Sequence, residues 1–267
     1  MKYFADTIIH PLIARQGYRT FCEIGASYGE NTDRLLEIPA ARITIVDPCL
    51  DADLAAKYKD RGNVQVHRGL SLDVLKEPIE TFDCILIDGD HNWYTVFNEL
   101  DLIAKHQLLK PGGTIFLHDV GWPYGRRDLY YQPHTIPAAF LQPHAQKGIV
   151  RGQVLLSETG GNNAGRENAL RSGGPRNGVL TAVEDFLAEH PREYWFVMDR
   201  EQHGLGVMFR RKAGGDNGLF IALWLKVLVR SLRRFVRSRR GKIVTAAALF
   251  VLARALARLL STRGKRR

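Results

Sequence analysis

Residues 194–210 read Tyr194-Trp195-Phe196-Val197-Met198-Asp199-Arg200-Glu201-Gln202-His203-Gly204-Leu205-Gly206-Val207-Met208-Phe209-Arg210. Two apolar runs, Tyr194–Met198 and Leu205–Arg210, are separated only by Asp199–Gly204. Runs rich in aromatic and branched residues predict strands, and so short a connection cannot make a parallel crossover. The pair is therefore expected to form an antiparallel hairpin. Upstream, five further runs stand at Thr20–Ile24, Arg42–Val46, Val64–His67, Phe82–Ile87 and Thr114–His118. Each is short and nearly continuous in its apolar character. That is the mark of strands covered on both faces, hence of a parallel sheet between helices. Asn31–Glu37, Leu50–Lys59 and Asn92–His106 read as helices; the last places Trp93, Val96, Phe97, Leu100 and Ile103 at helical spacing, with Asp90 or Asn92 as its cap. Lys110-Pro111-Gly112-Gly113 breaks the chain ahead of the fifth strand. Five parallel strands, a helix at Val179–Glu189 and a closing hairpin differ from an ordinary dinucleotide-binding sheet, which ends on parallel strands.

The chain has 267 residues, 45% hydrophobic and 25% charged, enough for one α/β domain with an appendage. The domain is expected over residues 1–212, a linker over 213–218 and a basic helical tail over 219–267. Inside the domain, residues 120–177 lose periodicity and are rich in Gly, Pro and aromatics, which predicts a substrate lid. The three cysteines, Cys22, Cys49 and Cys84, form no zinc spacing and are odd in number. They read as small core residues in a reducing compartment. The N-terminus lacks the apolar run of a signal peptide, so the expected location of the domain is cytoplasmic.

In a parallel sheet the strand ends share one edge, where ligands bind. Glu23-Ile24-Gly25-Ala26-Ser27-Tyr28-Gly29 follows the first strand and precedes a helix, as a loop cradling a cofactor would. Its spacing is not G-x-G-x-x-G. Asp47 ends the second strand, where a carboxylate can take both ribose hydroxyls of an adenosine-containing cofactor. Alone it does not separate NAD from S-adenosylmethionine, and it also reads as the start of a turn at Asp47-Pro48. Asp88-Gly89-Asp90-His91 ends the fourth strand and His118-Asp119 the fifth. Carboxylates and imidazoles so gathered can supply a general base for a hydroxyl, or hold a divalent cation. The plainer readings are a helix cap for Asp90 and hydrogen-bonded structural imidazoles for His91 and His118.

The order E-I-G-x-x-x-G, V-D-P, I-D-G-D-H, L-K-P-G-G-T-I-F-L-H-D resembles the methyltransferase-24 type family of class I S-adenosylmethionine-dependent methyltransferases. It is similar, more distantly, to metal-dependent sugar O-methyltransferases. The resemblance implies an α/β, Rossmann-like class I methyltransferase sheet of five parallel strands plus a closing antiparallel hairpin. It also implies that Glu23, Gly25, Ala26 and Gly29, with Ser27 in the same loop, line the methionine part of S-adenosylmethionine. Asp47 would hold the ribose and Gly69-Leu70-Ser71 approach the adenine; Leu70 stands where relatives often carry an acid, which leaves backbone groups and Ser71. Asp88 would lie near the sulfonium or, with His118 and Asp119, on Mg2+ or another divalent cation, although relatives tend to show adjacent acids where this chain has His118-Asp119. Asp88, His91, His118 and Asp119 are the expected catalytic set, serving transfer of a methyl group to an oxygen of a small-molecule or glycan-like acceptor. Trp122, Tyr124, Arg126, Arg127, Tyr130 and Tyr131 read as a pocket for rings and anionic groups, or equally as a loop packing its own aromatics. Two rivals remain at this stage. An NAD(P)-dependent oxidoreductase shares the glycine loop and Asp47 but does not predict the hairpin. A non-catalytic, membrane-associated scaffold keeps the hairpin and binds no cofactor.

The net charge of +10 belongs to the tail: residues 211–267 hold 16 Lys and Arg and one acid, which leaves −5 for residues 1–210. Leu219–Arg240 can be drawn as a helix with Lys226, Arg230, Arg233 and Arg237 opposite Ile221, Leu225, Leu228, Leu232 and Phe235. The second segment, Ile243–Leu260, contains Arg254 and Arg258, and its longest uncharged run is 11 residues. A spanning helix needs about 20 apolar residues. The pair is therefore expected to lie on an anionic membrane surface, at the inner face. A true span, or docking on the body, are the other readings; the apolar half argues against nucleic acid.

Overall fold

The computed structural model describes residues 1–50, 52–77 and 79–212. The readings made on the linker and the basic tail lie outside the described residues. The chain enters through α1 (Lys2–Phe4), a π-helical turn (Ala5–Ile9) and α2 (His10–Gln16), none of which the periodicity predicts. Gly17 at φ +67° ends α2, and strand β1 (Thr20–Ile24) follows. Then come α3 (Glu30–Leu36), β2 (Arg42–Val46), α4 (Ala52–Lys59), β3 (Val64–His67), α5 (Ser71–Val74), β4 (Phe82–Ile87), α6 (Trp93–Lys105) and β5 (Leu109–His118). The region over 120–177 carries three short strands, β6 (Leu129–Tyr130), β7 (His144–Gln146) and β8 (Glu167–Ala169). The chain closes with α7 (Val179–Glu189), β9 (Tyr194–Asp199) and β10 (Leu205–Arg210).

The main sheet has seven strands in the order β3-β2-β1-β4-β5-β10-β9. All pairs are parallel except those of β10, which runs antiparallel to β5 and to β9. The hairpin read from Tyr194–Arg210 therefore closes a parallel sheet, as a Rossmann-like methyltransferase sheet does. Lys110-Pro111-Gly112-Gly113 does not precede the fifth strand; it lies within β5, where the register slips between Phe82↔Leu109 and Cys84↔Thr114. Proline and glycine are tolerated there because a bulge needs no continuous ladder.

Both sheet faces are buried. Ile24, Val46, Ile85, Ile87, Ile115, Leu117 and Met208 share one core with Val96, Leu100 and Ile103 of α6 and Val183 and Phe186 of α7. Phe21, Ile43, Ile45, Leu86 and Phe116, alternating with them, are also at most 1% exposed. Alternation across a strand sends successive side chains to opposite faces, so the continuous apolar runs are explained by two covered faces. Trp93 ties the two helices together, its indole N–H donating to Asp185 at 2.7 Å. Cys22 and Cys84 are core residues as expected, whereas Cys49 is exposed in the turn after β2. Among the described residues no helix is long and apolar enough to cross a membrane.

Candidate active site

Register assembles the site. Ile24 pairs with Val46 and with Ile87, and Ile87 with Leu117. The next residues, Gly25, Asp47, Asp88 and His118, thus leave the sheet in one row at its carboxyl edge. Gly25 has φ +83°, and a Cβ there would lie 2.4 Å from Gly89 Cα. The loops after β1 and β4 touch backbone to backbone, and glycine is required where they meet. The Asp88 amide also donates to the Ile24 carbonyl at 2.9 Å.

On the cofactor side, Glu23 is fully buried and burial pushes its carboxyl up to about 7. Thr32 donates to Oε2, while Oε1 is buried without a partner. An orphaned acceptor is costly unless something binds it. Asp47 accepts the Ser27 amide at 2.9 Å on Oδ2 and the Cys49 amide at 2.8 Å on Oδ1. It therefore braces the glycine loop and starts the turn, as its plainer reading has it. A carboxylate has about four acceptor positions, so a ribose hydroxyl still finds room. Gly29 at φ +74° precedes α3, and its amide donates at 2.8 Å to the carbonyl of buried Ala26. Ser71 heads α5 and its hydroxyl donates to Glu99 at 2.6 Å. The residues present thus fit an adenosine-containing, amine-bearing ligand: an unsatisfied acceptor at Glu23, a loop without room for side chains at Gly25, and Asp47 with acceptor capacity in reserve.

On the other side, Asp88, His91, His118 and Asp119 come together as expected. His118 Nδ1 lies 3.0 Å from Asp88 Oδ1 and 3.1 Å from Asp119 Oδ2. His91 Nε2 lies 3.3 Å from the same Asp119 oxygen. Burial alone would lower the His118 pKa, but the hydrogen bonds and charges of Asp119 and Asp88 outweigh it and raise it to about 9. Burial would raise Asp88; His118, the α-amino group of Met1 at 2.9 Å from Oδ2, and His91 outweigh it and hold it at about 2. Asp119 behaves alike: burial pushes up, and His91 and His118 bring it below its ordinary value. Asp119 also sits at φ +58°, a left-handed conformation rare for a residue with a side chain. Asp88, His118 and Asp119 each offer one ligand atom to a common point, so the set can hold a divalent cation in competition with the His118 proton.

The plainer readings are settled by contacts. Asn92, rather than Asp90, caps α6, accepting the Thr95 amide at 2.8 Å. Asp90 supports that cap, taking the Thr95 hydroxyl at 2.9 Å. Within residues 120–177, Arg126 pairs with Glu184 through two contacts of 2.6 Å, and buried Arg127 donates to the Ala169 and Val154 carbonyls. Tyr130 donates to Asp128 at 2.7 Å. These three brace the segment's own backbone and α7 through the partners named. Asp128 also accepts the Trp93 and Gly178 amides at 2.7 and 2.6 Å, which locks both ends of the insertion to the start of α6. Tyr124 and Tyr131, by contrast, flank His91 with ring centroids at 5.9 Å each. Trp122 lies under Arg151 at 4.4 Å.

Two residues escape the motif reading. His203, in the hairpin turn at φ +70°, brings Nδ1 to 3.8 Å from Asp119 Oδ1. Its carbonyl accepts the Gly121 amide at 2.6 Å, which fastens the turn to the exit of β5. The available signal was register: Leu205 faces His118, so the turn ends at the same edge. Glu99 is the second, an acid on the apolar stripe of α6 between Val96 and Ile103.

Residues 22–120 match the methyltransferase-24 family, described as a methyltransferase domain. No curated protein matches the chain. Among solved structures, a methyltransferase from Podospora anserina bound to S-adenosylhomocysteine is 14% identical, with a TM-score of 0.47, over 75% of each chain. An O-methyltransferase from Bacillus cereus in complex with S-adenosylhomocysteine is 20% identical, with a TM-score of 0.45, over 75% of this chain and 78% of that one. A 1,6-didemethyltoxoflavin-N1-methyltransferase from Burkholderia thailandensis is 18% identical, with a TM-score of 0.46, over 76% of each chain. The span that matches the methyltransferase-24 family model carries every motif from Glu23 to Asp119.

Proposed function

We propose that the chain binds S-adenosylmethionine along Glu23, Gly25–Gly29, Asp47 and Ser71 and moves its methyl group to an acceptor oxygen beside His91. One observation carries this reading: an unsatisfied Glu23 carboxyl and the Gly25 loop share a sheet edge with two imidazoles held on Asp119. When bound, the cofactor supplies a methyl group activated by a sulfonium. The chain's own residues supply placement and a proton acceptor. His118, held protonated between two carboxylates, is unsuited to take a proton at neutral pH, and Asp88, held near 2, is a weak base. That leaves His91, oriented by Asp119 and walled by Tyr124 and Tyr131, to receive the acceptor's proton. Methyl transfer needs nucleophile, methyl and sulfur in line, so positioning by this aromatic wall is the larger contribution. A divalent cation, if taken up, would sit on Asp88, His118 and Asp119 and polarise the acceptor oxygen.

The acceptor class is a small molecule or glycan with a free hydroxyl, and the basic tail is proposed to keep the domain on an anionic membrane. The test is release of S-adenosylhomocysteine when the full chain meets S-adenosylmethionine and hydroxyl-bearing aromatic and sugar acceptors. His91→Ala should lower turnover by roughly 10²–10⁴-fold while cofactor affinity is kept. Unchanged turnover in that variant removes His91 from the role.

A further inference from the structure

Glu99 has no part in the chemistry above, yet it is an acid at 0% exposure in the middle of α6. It stands among Val96, Leu100 and Ile103, each at most 1% exposed. Burying a carboxyl there is unfavourable unless its contacts return the cost. Its sole hydrogen bond among the described residues is the one accepted from Ser71, at 2.6 Å on Oε1; Oε2 is buried and unpartnered. Burial pushes the group up to about 8, and the hydrogen bond accepted from Ser71 opposes that rise by favouring the charged, acceptor-only form. Ser71 follows β3 at the sheet's carboxyl edge, and its neighbour Leu70 offers no side-chain polar atom.

A serine hydroxyl has one proton and two lone pairs. Committing the proton to Glu99 leaves the oxygen able only to accept. Such an oxygen suits a ligand edge bearing an amino group and repels one bearing a carbonyl. We infer that Glu99 is a positioning residue that fixes Ser71 as an acceptor for the 6-amino group of adenine, so that the site discriminates adenosyl from inosyl ligands. This inference rests on the cofactor reading above and adds how the base is told apart. Glu99 acts through Ser71 and touches no ligand itself.

The test is calorimetric titration of the full chain with S-adenosylhomocysteine and with S-inosylhomocysteine, its 6-oxo counterpart. The parent should favour the adenosyl ligand by at least about tenfold, the usual scale for a mispaired buried polar group. Glu99→Leu frees the Ser71 proton to face a carbonyl, and the preference should fall to about twofold or less. Glu99→Gln, whose amide oxygen still accepts from Ser71, should restore it. Ser71→Ala, a mild change should the helix variant fold poorly, should also collapse the preference, and adding Glu99→Leu to it should change nothing further. Equal affinity of the parent for both ligands overturns the inference. So does a Glu99→Leu protein that weakens both ligands in parallel with the preference intact, as a purely structural role would. A folded parent that binds neither ligand overturns instead the cofactor reading on which the inference rests.

Discussion

Replacing Gly25 by alanine tests the contact between the two loops that build the site. The new Cβ would meet Gly89 Cα at 2.4 Å, Gly89 N at 2.5 Å and the Asp88 carbonyl oxygen at 2.6 Å. Carbon atoms rest at about 3.5–4.0 Å, so the overlap exceeds about 1 Å and falls on backbone that has no rotamer to yield. The left-handed conformation at φ +83° adds about 1–2 kcal/mol for any residue with a side chain. Overpacking of this kind costs about 1–3 kcal/mol, giving about 2–5 kcal/mol in all. In a domain of this size that lowers the melting temperature by roughly 5–15 °C. Relief requires the loop after β4 to move, which takes Asp88 off His118. Gly89→Ala is the control from the other side of the contact. Its Cβ would meet Ile24 Cγ2 at 3.6 Å and Gly25 Cα at 3.7 Å, ordinary separations, and should cost less than about 1 kcal/mol. Melting of both variants, followed by circular dichroism, separates the cases. A Gly25→Ala protein melting within about 2 °C of the parent would refute the claim that these loops touch.

Three further outcomes are expected. In metal-free protein His118 is raised to about 9 in the fold against 6.5 unfolded, so its stabilisation is complete below about pH 6.5 and is lost as pH rises through 9. The loss is on the order of 3 kcal/mol; melting across that range should show it, and His118→Asn should flatten the profile. Asp128→Asn keeps a carbonyl for the Trp93 and Gly178 amides, which share Oδ1, but puts an N–H₂ where Oδ2 accepts the Tyr130 hydroxyl and removes the charge, and should destabilise by about 1–3 kcal/mol in a chemical denaturation curve. Arg126→Ala removes an exposed pair with Glu184, so stability should change by less than about 1 kcal/mol, and KM for any acceptor found should stay put.

The main sheet was legible because its evidence is local. Nearly continuous apolar runs at Ile43–Val46 and Ile85–Ile87 report two covered faces, and six residues between Met198 and Leu205 rule out a crossover. The site row was legible because parallel strands end together. What residues 120–177 do was not. Arg126 and Tyr130 look alike on paper whether they grip a ligand or brace a loop, and only their partners, Glu184 and Asp128, decide. The short strands β6 to β8 have two or three residues each, below the length at which alternation shows. The N-terminal helical run offers no long apolar periodicity to read, and Pro11 stands inside it, just after the π-helical turn Ala5–Ile9. His203 reaches Asp119 through tertiary register alone.

The most direct measurement of the central claim is calorimetric titration of the full chain with S-adenosylmethionine and, separately, with NAD, repeated on Asp47→Ala. Binding of S-adenosylmethionine alone, weakened in the variant, is the result expected from Glu23, Gly25 and Asp47 as they stand. A well-folded chain that takes up NAD instead, or neither ligand, would contradict it.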